Sequence, residues 1–596
     1  MSLSRQSFLR KYNLAHWDFL LLVCLVLSVC WALTPAKSLA QLPASRLSAI
    51  FPPGGAAGQT FDVTISGSHM DGVESLLFSH TGIIAKQKMA EPGPFDKGPV
   101  PVELTFQVTV AANVPMGGYD VRAIGKYGVS NPRRFLISKQ AEFLEAEPNQ
   151  DIETATPLEL PCAVNGLLNA AADVDYYTFT AKSAGRMILD CYARRMDSQT
   201  DAVVVVYDAV GRELGNSRDG QSYDPLVDFN VTAGQKYSIR VYDSAYRGGP
   251  GFSYRFTLGA LPHIDYIFPP AAIAGNRPFT IFGRNLPGGQ NAGLAIDGRP
   301  LQKMTANIAI PNGVTPVGGN LVAPGGGGLD GVGYIVNSPA GASNRVFVGR
   351  ASTTPVLEVE PNNLPTQSQL VTVPSEVMGQ FYPRRDADWF QFDATEGEQI
   401  ILEVVSQRTG IKTNPTMLIE QIIPADGDKP GSTKQIAFES TSGQLDSGPE
   451  FDTRNQDPLF QFAVPATGRY RVLLRDQLNA LKADPRQVYR LAIRRPLPDF
   501  RLVAVPEDSY DSVLLRKGGK VAIRIVAFRR DGFEGEIKVA VQGLPAGVTA
   551  SESTIGPKRN STPLVLSAAA NAAPSFAAIR IQGSSTNGTA NLVRVA

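Results

Sequence analysis

Apolar and polar residues alternate along this chain in short runs, and glycine and proline separate the runs. Phe61, Val63 and Ile65 fall on one face of an extended segment, Leu104, Phe106 and Val108 on a second, and Tyr119, Val121 and Ala123 on a third. Alternation with a period of two predicts half-buried β-strands. Gly54-Gly55, Gly67 and Gly117-Gly118 punctuate them. Similar runs cover Phe279 to Gly283, Gly333 to Val336, Leu502 to Val505, Val521 to Ile525, Ile537 to Val541 and Leu564 to Leu566. With 56 glycines and 44 prolines to supply turns, the prediction is an all-β protein. At 596 residues the chain exceeds what one core serves, so several domains are expected.

The chain also repeats itself. Glu147-Pro148-Asn149 returns as Glu360-Pro361-Asn362, and Asp173-Val174-Asp175-Tyr176-Tyr177-Thr178-Phe179 as Asp386-Ala387-Asp388-Trp389-Phe390-Gln391-Phe392, both 213 residues on. Ile50-Phe51-Pro52-Pro53 with Gly58 is answered by Ile267-Phe268-Pro269-Pro270 with Gly275, and Ser130-Asn131 by Ser343-Asn344. Such a long period indicates a duplicated pair of domains rather than a solenoid.

Two resemblances follow from these motifs. The Ile-Phe-Pro-Pro entry with Gly58, and the exit through Gly118-Tyr119-Asp120-Val121 and Gly128-Val129-Ser130-Asn131, resemble TIG (IPT) immunoglobulin-like domains, as does the other repeat with its Gly341-Ala342-Ser343-Asn344. Glu-Pro-Asn, the Asp-x-Asp-aromatic-aromatic-x-Phe strand, Asp224-Pro225-Leu226 and Gly234-Gln235-Lys236-Tyr237 resemble the bacterial pre-peptidase C-terminal domain; the second repeat has Asp457-Pro458-Leu459 and Gly468-Arg469-Tyr470. These late motifs stand about 233 apart, which places an insertion near 421–448. Residues 500–596 look like a further bacterial immunoglobulin-like domain.

The expected order is a signal peptide over 1–40, TIG-like 41–140, pre-peptidase-like 141–260, TIG-like 261–350, pre-peptidase-like 351–499 and immunoglobulin-like 500–596. The resemblances imply five tandem β-sandwiches, immunoglobulin-like and jelly-roll-like. They also imply a role beside secreted enzymes, which such modules help to anchor or fold.

Charge narrows the partners. The net charge of +1 falls to about −2 without the first 40 residues, and there is no basic run or aromatic-basic interleaving to hold nucleic acid. Arg5, Arg10 and Lys11 precede an apolar run from Phe19 to Leu33, and Ser38-Leu39-Ala40 offers small residues for cleavage before Gln41. The run is short for a membrane span, so the expectation is export to the envelope or beyond, with no membrane span once the leader is cleaved.

Cleavage removes Cys24 and Cys30 and leaves Cys162 and Cys191, which the second repeat replaces with Ser375 and Val404. Their joint absence there points to a disulfide, which across adjacent strands would close a loop of about 30 residues and stabilise by roughly 3 kcal/mol. The alternative is two buried thiols acting as small apolar residues.

Catalytic groups are sparse. Beyond the leader only His69, His80 and His263 remain, without His-Glu-x-x-His, Gly-x-Ser-x-Gly or paired cysteines at metal spacing, so no enzyme is expected. Gly325 to Gly328 reads as a loop, with no Lys-Ser or Lys-Thr pair after it to form a phosphate cradle.

Oxygen ligands are better supplied. Glu145-x-Glu147-x-Asn149-x-Asp151 projects four oxygen side chains to one side of an extended chain, as a calcium ion requires. The resemblance to collagenase members of the family implies calcium at Glu145, Glu147, Asn149 and Asp175, and at Glu358, Glu360, Asn362 and Asp388; Gln150 and Asn363 stand where a further acidic ligand would be expected. The competing reading is a domain-entry turn bonded to backbone amides. Alternation leaves Tyr176 and Trp389 on the strand face opposite the core aromatics, where they either pack under a neighbour or contact a polysaccharide or protein of the envelope or matrix. An adhesion or binding role is the first expectation; a hydrolase accessory region or a structural spacer are the alternatives.

Overall fold

The computed structural model describes residues 43–596 except 94, 96, 221–222, 314–323, 442–452, 507–512 and 589. The leader expected over 1–40 and the 442–448 part of the expected insertion lie outside the described residues. Among the described residues there are strands and short 3-10 turns and no α-helix, so the protein is all-β, built as successive β-sandwiches.

The alternation of the first hundred residues builds two facing sheets. One runs in the order Arg46–Phe51, Thr60–Ser68, Val100–Val110, Ile83–Ala90, and the other Gly54–Ala56, Arg133–Ser138, Gly117–Gly125, Ser75–Phe78. Val63, Ile65, Phe106 and Val108 from the first sheet meet Val121, Ala123, Phe135 and Ile137 from the second in one core. Phe61, Leu104 and Tyr119 pack at its margin.

Two stretches share a more elaborate topology. In the first, one sheet has the order Ala141–Leu144, Cys162–Leu167, Ser253–Gly259, Gly185–Tyr192, Leu226–Val231. It faces a second sheet ordered Thr156–Leu158, Val174–Thr180, Lys236–Asp243, Ala202–Tyr207, Glu213–Ser217. Between residues 356 and 494 both orders recur strand for strand, with Ser375–Gln380 answering Cys162–Leu167 and Asp388–Ala394 answering Val174–Thr180. Part of the extra length after residue 420 is spent on a longer hairpin, Pro415–Ile423 with Ser432–Glu439, in place of Ala202–Tyr207 with Glu213–Ser217.

The expected disulfide is not formed: Cys162 and Cys191 are free, buried thiols. Their strands are not neighbours, because Ser253–Gly259 lies between them and pairs with both, Cys162 opposite Leu258 and Cys191 opposite Phe256. Two strand spacings are about 10 Å, beyond the ~7 Å that a disulfide spans between Cα atoms. Both thiols instead fill the core beside Val164, Leu189 and Phe256.

Residues 45–596 form one compact unit, and charges stitch its sandwiches together. Asp228 is held by Arg186 of its own sandwich and by Arg284 and Arg299 of the next. Buried Glu403 meets Arg408, Arg494 and Arg530, and Arg501 reaches Asp330. Gly128, near the start, lies so close to Leu514 that a Cβ there would stand 2.3 Å from its Cδ1.

Candidate metal centre

In each repeat the segment before Glu-Pro-Asn runs beside an inner strand and alternates its side chains. Leu144 and Ala146 face solvent while Glu145 turns inward, and Leu357, Val359 and Glu358 do the same in the second repeat. After the cis prolines Pro148 and Pro361, the Asn149 carbonyl accepts the Tyr176 amide at 2.8 Å and the Asn362 carbonyl accepts the Trp389 amide at 3.1 Å. Those bonds hold the entry turn against the Asp-x-Asp strand, and so bring together residues that the sequence separates by about 25 positions.

In the first repeat Glu147, Asp173 and Asp175 each offer a carboxylate oxygen within 4.8 Å of the others. Glu147 accepts the Asn149 amide (3.0 Å), Gln150 Nε2 (2.8 Å) and Asn169 Nδ2 (2.7 Å). Glu145 spends one oxygen on the Leu167 amide (2.8 Å), and its Oε2 is buried with no hydrogen-bond partner. The side-chain oxygen of buried Asn149 faces carboxylate oxygens; turned over, its NH2 would lie 3.0 Å from Asp175 and 3.1 Å from Glu147.

The second repeat is more exposed to the same problem. Glu358, Glu360 and Asp388 place oxygens within 4.8 Å of one another. Tyr489 has one hydroxyl proton and gives it to Glu358 at 2.9 Å. Both carboxylate oxygens of fully buried Asp388, and both side-chain polar atoms of fully buried Asn362, have no hydrogen-bond partner. Asp386, the first aspartate of the motif, is taken up by the Tyr382 (2.8 Å) and Ala387 (3.1 Å) amides.

Electrostatics follows from the geometry. Burial pushes Glu145 up to about 9, Asp175 up to about 7 and Glu358 up to about 8, the neighbouring carboxylates adding to the effect on each. Burial likewise raises Asp388 well above the carboxylate range, with Glu358 next in effect. No Lys, Arg or His among the described residues forms an ion pair with any of these acids, whereas buried Asp224 and Asp457 are each paired with an arginine. Orphaned, buried oxygens gathered without a cation fit a hard metal ion with oxygen ligands, calcium in chemistry. Glu145, Glu147, Asn149, Asp173 and Asp175 would hold it in one repeat, and Glu358, Glu360, Asn362 and Asp388 in the other.

Of the residues named from the sequence, the structure clusters the carboxylates of Glu147 and Asp175, joined by Asp173, and those of Glu358, Glu360 and Asp388, with the Asn149 side chain beside the first cluster. Asp173 was legible in the Asp-x-Asp motif itself. The tyrosines Tyr254 and Tyr489 had no local signal, since each arrives from a strand about 80 to 100 residues on. Gln150 and Asn363 donate to Glu147 and Glu360. Asp151 lies outside the carboxylate cluster and lines a surface hollow.

The two exposed-face aromatics part company. Tyr176 is half-buried beside that hollow, but Trp389 is only 6% exposed, covered by Leu473, Ala387 and Leu418 with the Arg471 guanidinium 4.9 Å above its ring. Trp389 is therefore a packing residue, because the cross-strand neighbours on its face are large. The histidines make separate local contacts: His80 accepts the Gly82 amide, His69 meets the edge of Tyr127, and burial lowers His263 to about 3, so it stays neutral.

No helix among the described residues is long and apolar enough to cross a membrane. No family model matches the chain. The chain is similar to a probable subtilase-type serine protease of Deinococcus radiodurans, 26% identical over 117 residues that make up 18% of this chain and 16% of that protein. It therefore spans about a sixth of the length of that curated relative. Among solved structures, the pre-peptidase C-terminal domain of a collagenase from Bacillus anthracis aligns over its whole length with 19% of this chain, at 18% identity and a TM-score of 0.16.

Proposed function

We propose that this chain is an exported, non-catalytic binding protein whose two repeated pre-peptidase-like sandwiches each take up a calcium ion, with TIG-like and immunoglobulin-like sandwiches around them. The observation that carries the reading is the pair of carboxylate nests, 213 residues apart, whose buried oxygens have neither a counter-cation nor a full set of hydrogen bonds. Calcium would neutralise each nest and lock the entry segment to the Asp-x-Asp strand. The ligand is then a polysaccharide or protein of the envelope or matrix. The local similarity to a probable subtilase-type serine protease favours a second reading, an accessory region that works beside a peptidase.

Equilibrium dialysis of chelator-stripped protein against calcium tests the metal. Two bound ions per chain are expected, one in Asp175→Asn and one in Asp388→Asn; no uptake by the parent protein would defeat the reading. Retention on insoluble polysaccharide, collagen or envelope material, lost in chelator, would support the binding role, and failure on all of them would favour the accessory role.

A further inference from the structure

The outer face of the Asp-x-Asp sheet differs between the repeats at one spot. In the second repeat Arg471 stands opposite Glu420 on the neighbouring strand, bonds it at 2.6 Å, and lays its guanidinium 4.9 Å over Trp389. The strand registers identify the equivalents in the first repeat. Tyr176 pairs with Arg240 as Trp389 pairs with Leu473, and Thr178 pairs with Ser238 as Gln391 pairs with Arg471. Tyr207, opposite Ser238, occupies the place of Glu420.

The arginine of one repeat is thus a serine in the other, and the space it would fill is open. A hollow of about 290 Å³ lies there, walled by Tyr176 and Tyr207, floored by Ser238 and rimmed by Asp151, Ile152 and Glu153. The rim changes in step with the floor: residues 364–366, which correspond to Asp151–Glu153, are Leu364, Pro365 and Thr366. So the repeat that carries its own arginine has an uncharged rim, and the repeat without it has two carboxylates. Neither Asp151 nor Glu153 forms an ion pair among the described residues. Arg240, the cross-strand partner of Tyr176, stacks on the Tyr242 ring at 4.6 Å and interacts with the hydroxyls of Tyr207 and Tyr176, but does not line the hollow.

We propose that this hollow receives an arginine side chain from a protein partner, in the position that Arg471 fills internally in the second repeat. The two tyrosines that line it provide aromatic surface for a cation, and two carboxylates supply the countercharge that Glu420 supplies to Arg471. A guanidinium suits the site better than an ammonium because its planar group both stacks and bonds a carboxylate, as Arg471 does. The inference concerns a different face from the metal nests and does not depend on calcium.

The test is calorimetric titration of the full chain with the peptide acetyl-Gly-Ser-Arg-Ser-Gly-amide and with its citrulline counterpart, which keeps the shape and loses the charge. Saturable binding of the arginine peptide is expected, with the citrulline peptide roughly tenfold weaker or more. Ser238→Arg should abolish it by filling the hollow. Asp151→Asn with Glu153→Gln, both at exposed positions and so safe for folding, should weaken it by about tenfold. Equal binding of the two peptides, binding unchanged in both variants, or no saturation into the millimolar range would overturn the proposal. So would saturable binding of cellohexaose that Ser238→Arg blocks, which would make the hollow a sugar platform. Binding that persists in chelator while dialysis shows no calcium uptake would sink the calcium reading alone.

Discussion

Tyr254 donates its hydroxyl to Asp175 across 2.5 Å, while its counterpart Tyr489 donates to Glu358 instead. In the first repeat the Tyr177 hydroxyl lies 2.6 Å from Tyr254 and donates to it, where the second repeat has Phe390; each nest thus receives one tyrosine proton, on Asp175 in the first and on Glu358 in the second, where both oxygens of Asp388 and both side-chain polar atoms of Asn362 stay unpartnered. The second nest therefore has the greater unmet need for a cation, and calcium is expected to bind it more tightly than the first. Comparing the affinities left in Asp175→Asn and Asp388→Asn measures this order.

The pH dependence of stability follows from the raised carboxyls. An unfolded glutamate titrates near 4.3, whereas burial holds Glu145 at about 9 and Glu358 at about 8 in the metal-free fold. Between those limits the folded protein binds more protons than the unfolded chain, so its stability falls as pH rises. In chelator the melting temperature should decline from about pH 5 to about pH 9. Calcium should restore it most at the alkaline end, by about 1.4 kcal/mol per site at tenfold excess over the dissociation constant. A melting temperature in chelator that is level or rises over this range would count against the protonated nests.

A glycine makes room for each tyrosine. A Cβ on Gly379 would lie 2.3 Å from the Tyr489 Cζ and hydroxyl and 2.3 Å from Glu358 Oε2, and one on Gly166 would meet Tyr254 in the same way. Both tyrosines are fully buried and cannot swing aside. Gly379→Ala is expected to cost about 1–3 kcal/mol by overpacking and to weaken calcium uptake at that site only. Dialysis beside thermal melts would check both effects, and unchanged uptake would separate the glycine from the site.

Glu403 joins two sandwiches. Burial alone would raise its carboxyl, but Arg408, Arg530 and Arg494 hold it well below the usual range. Arg408 donates at 3.0 Å and Arg494 at 3.1 Å, and Arg494 also pairs with Asp531 of the last sandwich. Glu403→Gln leaves Arg408 with Asp457 and Arg494 with Asp531 as their remaining carboxylate partners, and a loss of about 3 kcal/mol is expected in chemical denaturation. A change below about 1 kcal/mol would place the cluster among weak surface pairs.

The thiols give a direct check on the core. Burial pushes Cys162 up to about 12 and Cys191 well above the usual thiol range, so neither is a reactive thiolate in the folded protein. Protein comprising residues 41–596 should react with a thiol reagent only after unfolding, and then at both cysteines. No reactive thiol in the unfolded, unreduced chain would show a disulfide after all.

What was legible in advance was local. Alternating residues such as Val63, Ile65, Phe106 and Val108 define strand faces because a side-chain period of two leaves one face to bury, and the 213-residue offset exposed the duplication with both acidic segments. Glu145, Glu147 and Asn149 could be grouped because one short extended segment carries them, whereas Asp175 joined them only through the family resemblance. Strand order is not local. It placed Ser253–Gly259 between the two cysteines, brought Tyr254 and Tyr489 onto the carboxylates, and set Leu473 and Arg471 over Trp389 while leaving Tyr176 beside an open hollow. Those outcomes depend on which distant strands pair and in what register, and pairing is decided by the packing of whole sheets, which only the tertiary structure expresses.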